Sequence, residues 1–190
     1  AIIGESGSGK TSLLMLMSGL EKPSTGSIIF QGQDISKASE EKNTAIRKEK
    51  IGLVFQQFYL IPNYTALENI MFPMQINKIK NEKEKAMAIL SDIGLSHRRN
   101  NLPSELSGGE QQRVAIARAI SFNPEIILAD EPTGNLDSKN TELVSNLLLK
   151  YSRKKKISLV IVTHNISLAK KCNRIITVSY THLRAHETLP

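Results

Sequence analysis

Gly4-Glu5-Ser6-Gly7-Ser8-Gly9-Lys10-Thr11 follows the apolar run Ala1-Ile2-Ile3 and opens into Ser12-Leu13-Leu14-Met15-Leu16-Met17. A buried strand feeding a glycine loop and then a helix is the setting in which G-x-x-x-x-G-K-[ST] binds phosphate. The glycines let backbone N–H groups converge where side chains would clash. The start of the following helix adds partial positive charge. Lys10 supplies a point charge for β- and γ-phosphates, and Thr11 a hydroxyl for Mg²⁺. The candidate phosphate-binding set is therefore Gly4, Glu5, Ser6, Gly7, Ser8, Gly9, Lys10, Thr11 and Ser12.

Working outward, the pattern predicts a helix over 10–20, a turn at Pro23-Ser24-Thr25-Gly26, a strand over 27–30 and a charged helix over 40–50. A buried strand follows over 51–55. Thr65 with Glu68 has the capping-box spacing that starts a helix, and so does Ser107 with Glu110 for a helix reaching about 120. A helix over 82–93 places Met87, Leu90 and Ile93 on one face and stops at Gly94. Ile126-Ile127-Leu128-Ala129 is a fully apolar strand. A helix with Leu143, Val144, Leu147, Leu148 and Tyr151 on its apolar side follows, and then a strand over 158–163. Strands apolar on both faces that alternate with helices imply a parallel sheet covered on both sides. The stretch 57–106 reads as a helical insert.

Composition bounds the function. The chain has 190 residues, enough for one well-cored domain. No run approaches the roughly 18 apolar residues that a membrane span needs. The single cysteine, Cys172, suits a reducing compartment and a packing role. A net charge of +7 could attract nucleic acid, but the five phenylalanines and four tyrosines do not interleave with basic residues. Arg153-Lys154-Lys155-Lys156 falls at a helix end, where cations favour the dipole. No nucleic-acid partner is expected.

Ile126-Ile127-Leu128-Ala129-Asp130-Glu131 sets two acids at the carboxyl end of a buried strand, the edge where parallel sheets bind ligands. Asp130 is suited to hold Mg²⁺, and Glu131 to orient or deprotonate an attacking water. Leu106-Ser107-Gly108-Gly109-Glu110-Gln111-Gln112-Arg113 is another anion-binding helix start, with backbone amides bared at Gly108 and Gly109 and Ser107 capping its own helix through Glu110.

With this last segment the chain resembles the ABC-type ATPases from residue 1 to about 177, LSGGEQQR being their signature. The resemblance implies an α/β fold of the P-loop NTPase (RecA-like) type. Its parallel sheet core would carry a helical insert over about 57–106, extended by the signature helix 107–120. It also implies roles. Gln56 matches the glutamine that reaches Mg²⁺ and the water, so that Thr11, Gln56 and Asp130 form the metal set. His164 matches the histidine that bonds the γ-phosphate. Glu131, His164, Gln56 and Lys10 are then the catalytic set, with no metal beyond Mg²⁺. Ser107, Gly108 and Gly109 would meet ATP held by a second subunit, two ATPase domains sandwiching two Mg-ATP head to tail. Asp137 would touch that partner.

Phe58-Tyr59-Leu60-Ile61-Pro62, Leu67-Glu68-Asn69-Ile70 and the stretch from Asp130 to Asp137 look like the lipoprotein-release and macrolide- or peptide-export branch. A homodimer seated on a transmembrane permease, peripheral to the cytoplasmic face of the inner membrane, is the assembly so implied. The alternative is a soluble ABC-type ATPase acting on DNA or ribosomes. Such proteins carry coiled-coil insertions, zinc cysteines or a second ATPase copy, none of which shows here. Two departures are noted. Family members have about two further strands before the phosphate loop, with an adenine-stacking aromatic that no residue here matches. Residues 178–190 read like a translated adapter sequence, expected to be a non-native tail without function. Arg184 and Glu187 cancel, so the +7 does not depend on that tail.

Overall fold

The computed structural model describes residues 1–179. In chain order they form β1 (Ile2–Ile3), α1 (Lys10–Met17), β2 (Ile29–Phe30), β3 (Gln33–Asp34), α2 (Glu40–Lys50), β4 (Ile51–Val54), α3 (Ala66–Ile76) and α4 (Glu82–Asp92). Then come α5 (Gly108–Ile120), β5 (Ile126–Asp130), α6 (Ser138–Lys155), β6 (Ser158–Val162), α7 (Ile166–Ala169) and β7 (Ile176–Thr177). Five strands make one sheet in the order β4-β5-β6-β1-β7, and every pairing in it is parallel. This is the α/β architecture that the doubly apolar strands require.

Alternation along the strands explains the two-sided burial. Ile127, Ala129 and Ile161 face a core shared with α3, α4, α5 and α6. Ile51, Leu128 and Val162 turn the other way, to pack with Ile2 and with Leu14 of α1. The insert has no separate core. Ile70 and Met74 of α3 and Leu90 of α4 join the same cluster as the sheet residues, through Ile116 and Ile120 of α5. Leu128 is fully buried in β5, an interior strand of the sheet. Leu128→Ala should therefore lower the unfolding free energy by about 2–5 kcal/mol, read from urea denaturation. A loss under about 1 kcal/mol would mean that the second cluster is not a true core.

The helix starts follow their caps. Thr65, Ser107 and Asp137 each accept a backbone N–H three residues on, at Glu68, Glu110 and Asn140. Gly94, at φ 73°, ends α4 as expected. Cys172 is half-buried and packs against the core, its thiol directed at the Leu168 carbonyl.

Two expectations need correction. The strand expected over 27–30 is shorter and lies outside the main sheet. β2 pairs antiparallel with β3, and Gln31 and Gly32, both at positive φ, form the two-residue hairpin turn. Leu143 is 46% exposed, because it lies at the edge of the stripe that buries Val144, Leu147, Leu148 and Tyr151. At the end of the described residues, Val178 donates its N–H to the Ile3 carbonyl at 2.7 Å. The rest of the expected tail, from Tyr180 onward, lies outside them.

Candidate functional site

The glycine loop joins β1 to α1. Gly7 and Gly9 sit at φ 80° and 85°, where a side chain would be strained. Gly9 is the N-cap of α1 and brings no capping side chain. The first N–H groups of that helix are thus left to an anion. Lys10 is 8% exposed, and its ammonium donates to the carbonyls of Gly4 at 2.9 Å and Glu5 at 2.7 Å. The lysine braces the loop from inside.

Four adjacent strands end at this loop. Gly4, Ser6, Gly7, Gly9, Lys10, Thr11 and Ser12 line a cavity of about 480 Å³ together with Gln56 beyond β4, Glu131 beyond β5 and His164 beyond β6. Val162 completes the wall. Glu5 and Ser8 belong to the loop but do not line this cavity. Ser8 is turned inward, 7% exposed.

Asp130 is buried at the end of β5. Burial raises its pKa above the usual carboxylate range; the Thr11 hydroxyl opposes the shift, the Glu131 charge adds to it, and Lys10 opposes it. Its Oδ1 is buried with no protein partner. An unpaired carboxylate oxygen beside a hydroxyl, at the mouth of a phosphate loop, is the donor set that a hard divalent cation takes. The residues present fit Mg²⁺.

Glu131 holds a left-handed backbone at φ 43°, a conformation that non-glycine residues keep where surrounding structure imposes it. Its Oε2 lies 2.9 Å from His164 Nδ1 and also accepts the His164 backbone N–H at 3.3 Å. Gln56 donates to Asn135 Oδ1 at 3.0 Å, and Asn135 returns a bond to the Gln56 carbonyl at 3.4 Å. The sequence reading gave Asn135 no role. Its place between Glu131 and Asp137 was the available signal.

Ser107, Gly108 and Gly109 do not line the cavity. Ser107 and Glu110 form a reciprocal capping box, the Ser107 N–H donating to Glu110 Oε2 at 2.8 Å. Glu110 also pairs with Arg98 at 3.0 Å. At Gly109 a Cβ would lie 2.2 Å from Asn140 Oδ1, so glycine is needed for α5 to approach the start of α6. Asp137 caps α6; the Asn140 backbone N–H and then its side-chain amide hold the carboxyl below its usual range.

The chain matches the family model described as ABC transporter over residues 1–134. Two solved structures of the ATP-binding cassette MJ0796 are similar to it, each at 42% identity. One is a dimeric post-hydrolysis state bound to ADP and Pi, with a TM-score of 0.85, covering 94% of this chain and 79% of that one. The other, a dimeric structure described as a bacterial ABC transporter cassette, has a TM-score of 0.86 and covers 93% and 79%. A phosphate loop braced by its own lysine, two acids at the end of an interior strand of the same sheet and this degree of likeness lead to one conclusion: the chain belongs to the ABC transporter family, as an ATP-hydrolysing cassette.

Proposed function

We propose that two copies of this cassette close head to tail around two ATP molecules and that hydrolysis reopens them, driving a transmembrane permease. One observation carries the reading. The cavity gathers Lys10, Thr11, Gln56, Glu131 and His164, while Ser107, Gly108 and Gly109 of the same chain stand outside it. A second copy would bring those residues to the γ-phosphate. The MJ0796 cassettes, described as dimeric, support this arrangement.

Within the cavity each residue has a distinct task. Lys10 and the loop amides bind the phosphates. Thr11, Asp130 and Gln56 would hold Mg²⁺, which supplies charge neutralisation at the β- and γ-phosphates. Glu131 takes the proton of the attacking water or orients it, and His164 holds the Glu131 carboxylate and reaches the γ-phosphate. Measuring ATP turnover alongside dimerisation tests the whole reading.

The permease contact is assigned to the segment after Gln56. Among the described residues no helix is long and apolar enough to cross a membrane; in this reading the permease supplies the span and the cassette is peripheral, at the cytoplasmic face. Phe58, Leu60 and Ile61 are half-buried, but Tyr59 is 62% exposed, at φ 46°, with its ring edge-on to Phe55. An aromatic side chain held out in this way by a strained backbone favours a covering partner. The wording of residues 58–62, 67–70 and 130–137 favours the lipoprotein-release and macrolide- or peptide-export branch for that permease.

Tyr59→Asp should abolish co-purification with the permease and leave the melting temperature of the isolated cassette nearly unchanged, since Asp tolerates a left-handed backbone. Undiminished co-purification would rule the contact out.

A further inference from the structure

We propose that Gln112, on the signature helix, is a positioning residue that fixes the spacing between Gln56 and Glu131. Its side chain is fully buried. The Nε2 donates to the Phe55 carbonyl at 3.3 Å and to the Pro132 carbonyl at 2.8 Å. Phe55 precedes Gln56, and Pro132 follows Glu131. One carboxamide nitrogen thus ties the backbone just before one cavity residue to the backbone just after another.

Both partners are acceptors, so the nitrogen must face them and the amide oxygen must turn away. That oxygen is buried without a partner. An unpaired buried acceptor is costly, and a leucine or methionine would fill the same space without it. The bridge, rather than the filling of space, accounts for a glutamine here.

The bridge also has a direction. Gln112 lies on α5, whose first turn carries Gly108 and Gly109. Farther along α5, Arg118 donates to the Phe58 carbonyl at 3.1 Å and to the Tyr59 carbonyl at 2.5 Å. The segment bearing Gln56 is therefore fastened to α5 at two heights. The same helix carries Ser107 at its start, which the proposed sandwich presents to the other ATP. Gln112 links the chain's own site to the one it completes.

This inference rests on the roles proposed for Gln56 and Glu131, so the experiment separates the two. Gln112→Met keeps the length of the side chain and removes the donor. Its kcat should fall about tenfold, as misplacement of catalytic groups does, with KM for ATP changed less than about twofold. Gln112→Glu restores a donor only when protonated. Its kcat relative to the parent should rise as pH falls from about 8 to about 6, the range in which a buried carboxyl takes up its proton.

Glu131→Gln is assayed in parallel. Full turnover in Glu131→Gln would overturn the reading of the cavity itself. Loss of turnover there, with parent-like kcat in Gln112→Met, would overturn the role of Gln112 alone. So would a fall in kcat matched by a rise in KM. Should Gln112→Met fail to fold, the pH profile decides: a flat ratio of Gln112→Glu to parent overturns the proposal.

Discussion

Glu131→Gln should bind ATP as tightly as the parent and turn it over on the order of 10²-fold more slowly, the usual share of a positioned general base. The substitution preserves shape. It removes the carboxylate that His164 Nδ1 approaches at 2.9 Å and leaves the Lys10 and Thr11 side of the cavity untouched. Lys10→Ala makes the informative contrast. Its ammonium serves the nucleotide and also holds the Gly4 and Glu5 carbonyls, so its removal both deletes a charge and loosens the loop. Nucleotide affinity itself should drop. Steady-state hydrolysis with nucleotide titration separates the two variants. Parent-like turnover in Glu131→Gln would remove Glu131 from the chemistry.

Adding Ser107→Arg to Glu131→Gln should abolish an ATP-dependent dimer while sparing ATP binding. Glu131→Gln alone should be dimeric in ATP and monomeric without it, because slowed hydrolysis preserves the ligand that both faces bind. Ser107 is exposed at the start of α5, so arginine there meets no crowding within the chain; its bulk would fall on the partner. The Ser107 cap is lost as well, at about 1 kcal/mol. Ser107→Ala loses the same cap without the bulk, so the difference between the two isolates the interface. Light scattering with and without ATP reads the result. A dimer in the absence of ATP, or one of unchanged strength with arginine, would leave the signature segment only its capping role.

Much of this was legible because it is local. The strand–loop–helix order around Lys10, the doubly apolar strands and the capping boxes at Thr65 and Ser107 each depend on a few neighbouring residues. What stayed hidden depends on residues far apart in sequence. No local pattern announces that Gln56 meets Asn135, or that Gln112 reaches both Phe55 and Pro132. The exposure of Leu143 was missed for a related reason: helical periodicity shows which residues share a stripe, but not how far the neighbours extend over it. The strained backbone at Glu131 also left no mark, since glutamate has no preference for positive φ that a sequence could betray.

The place of β1 has a consequence for how the protein is made. β1 pairs with β6 and β7, Ile2 lying opposite Val162 and Ile176. The ribosome therefore releases the phosphate loop well before β6 and β7, the strands that flank β1. At 5–20 residues per second the loop waits roughly ten to thirty seconds for its neighbours. Until then Ile2 and Ile3 are an unpaired apolar edge, and Gly4 to Thr11 have no sheet to hold them in register. Nucleotide cannot help the early chain to fold, because its binding loop is among the last parts to be set in place.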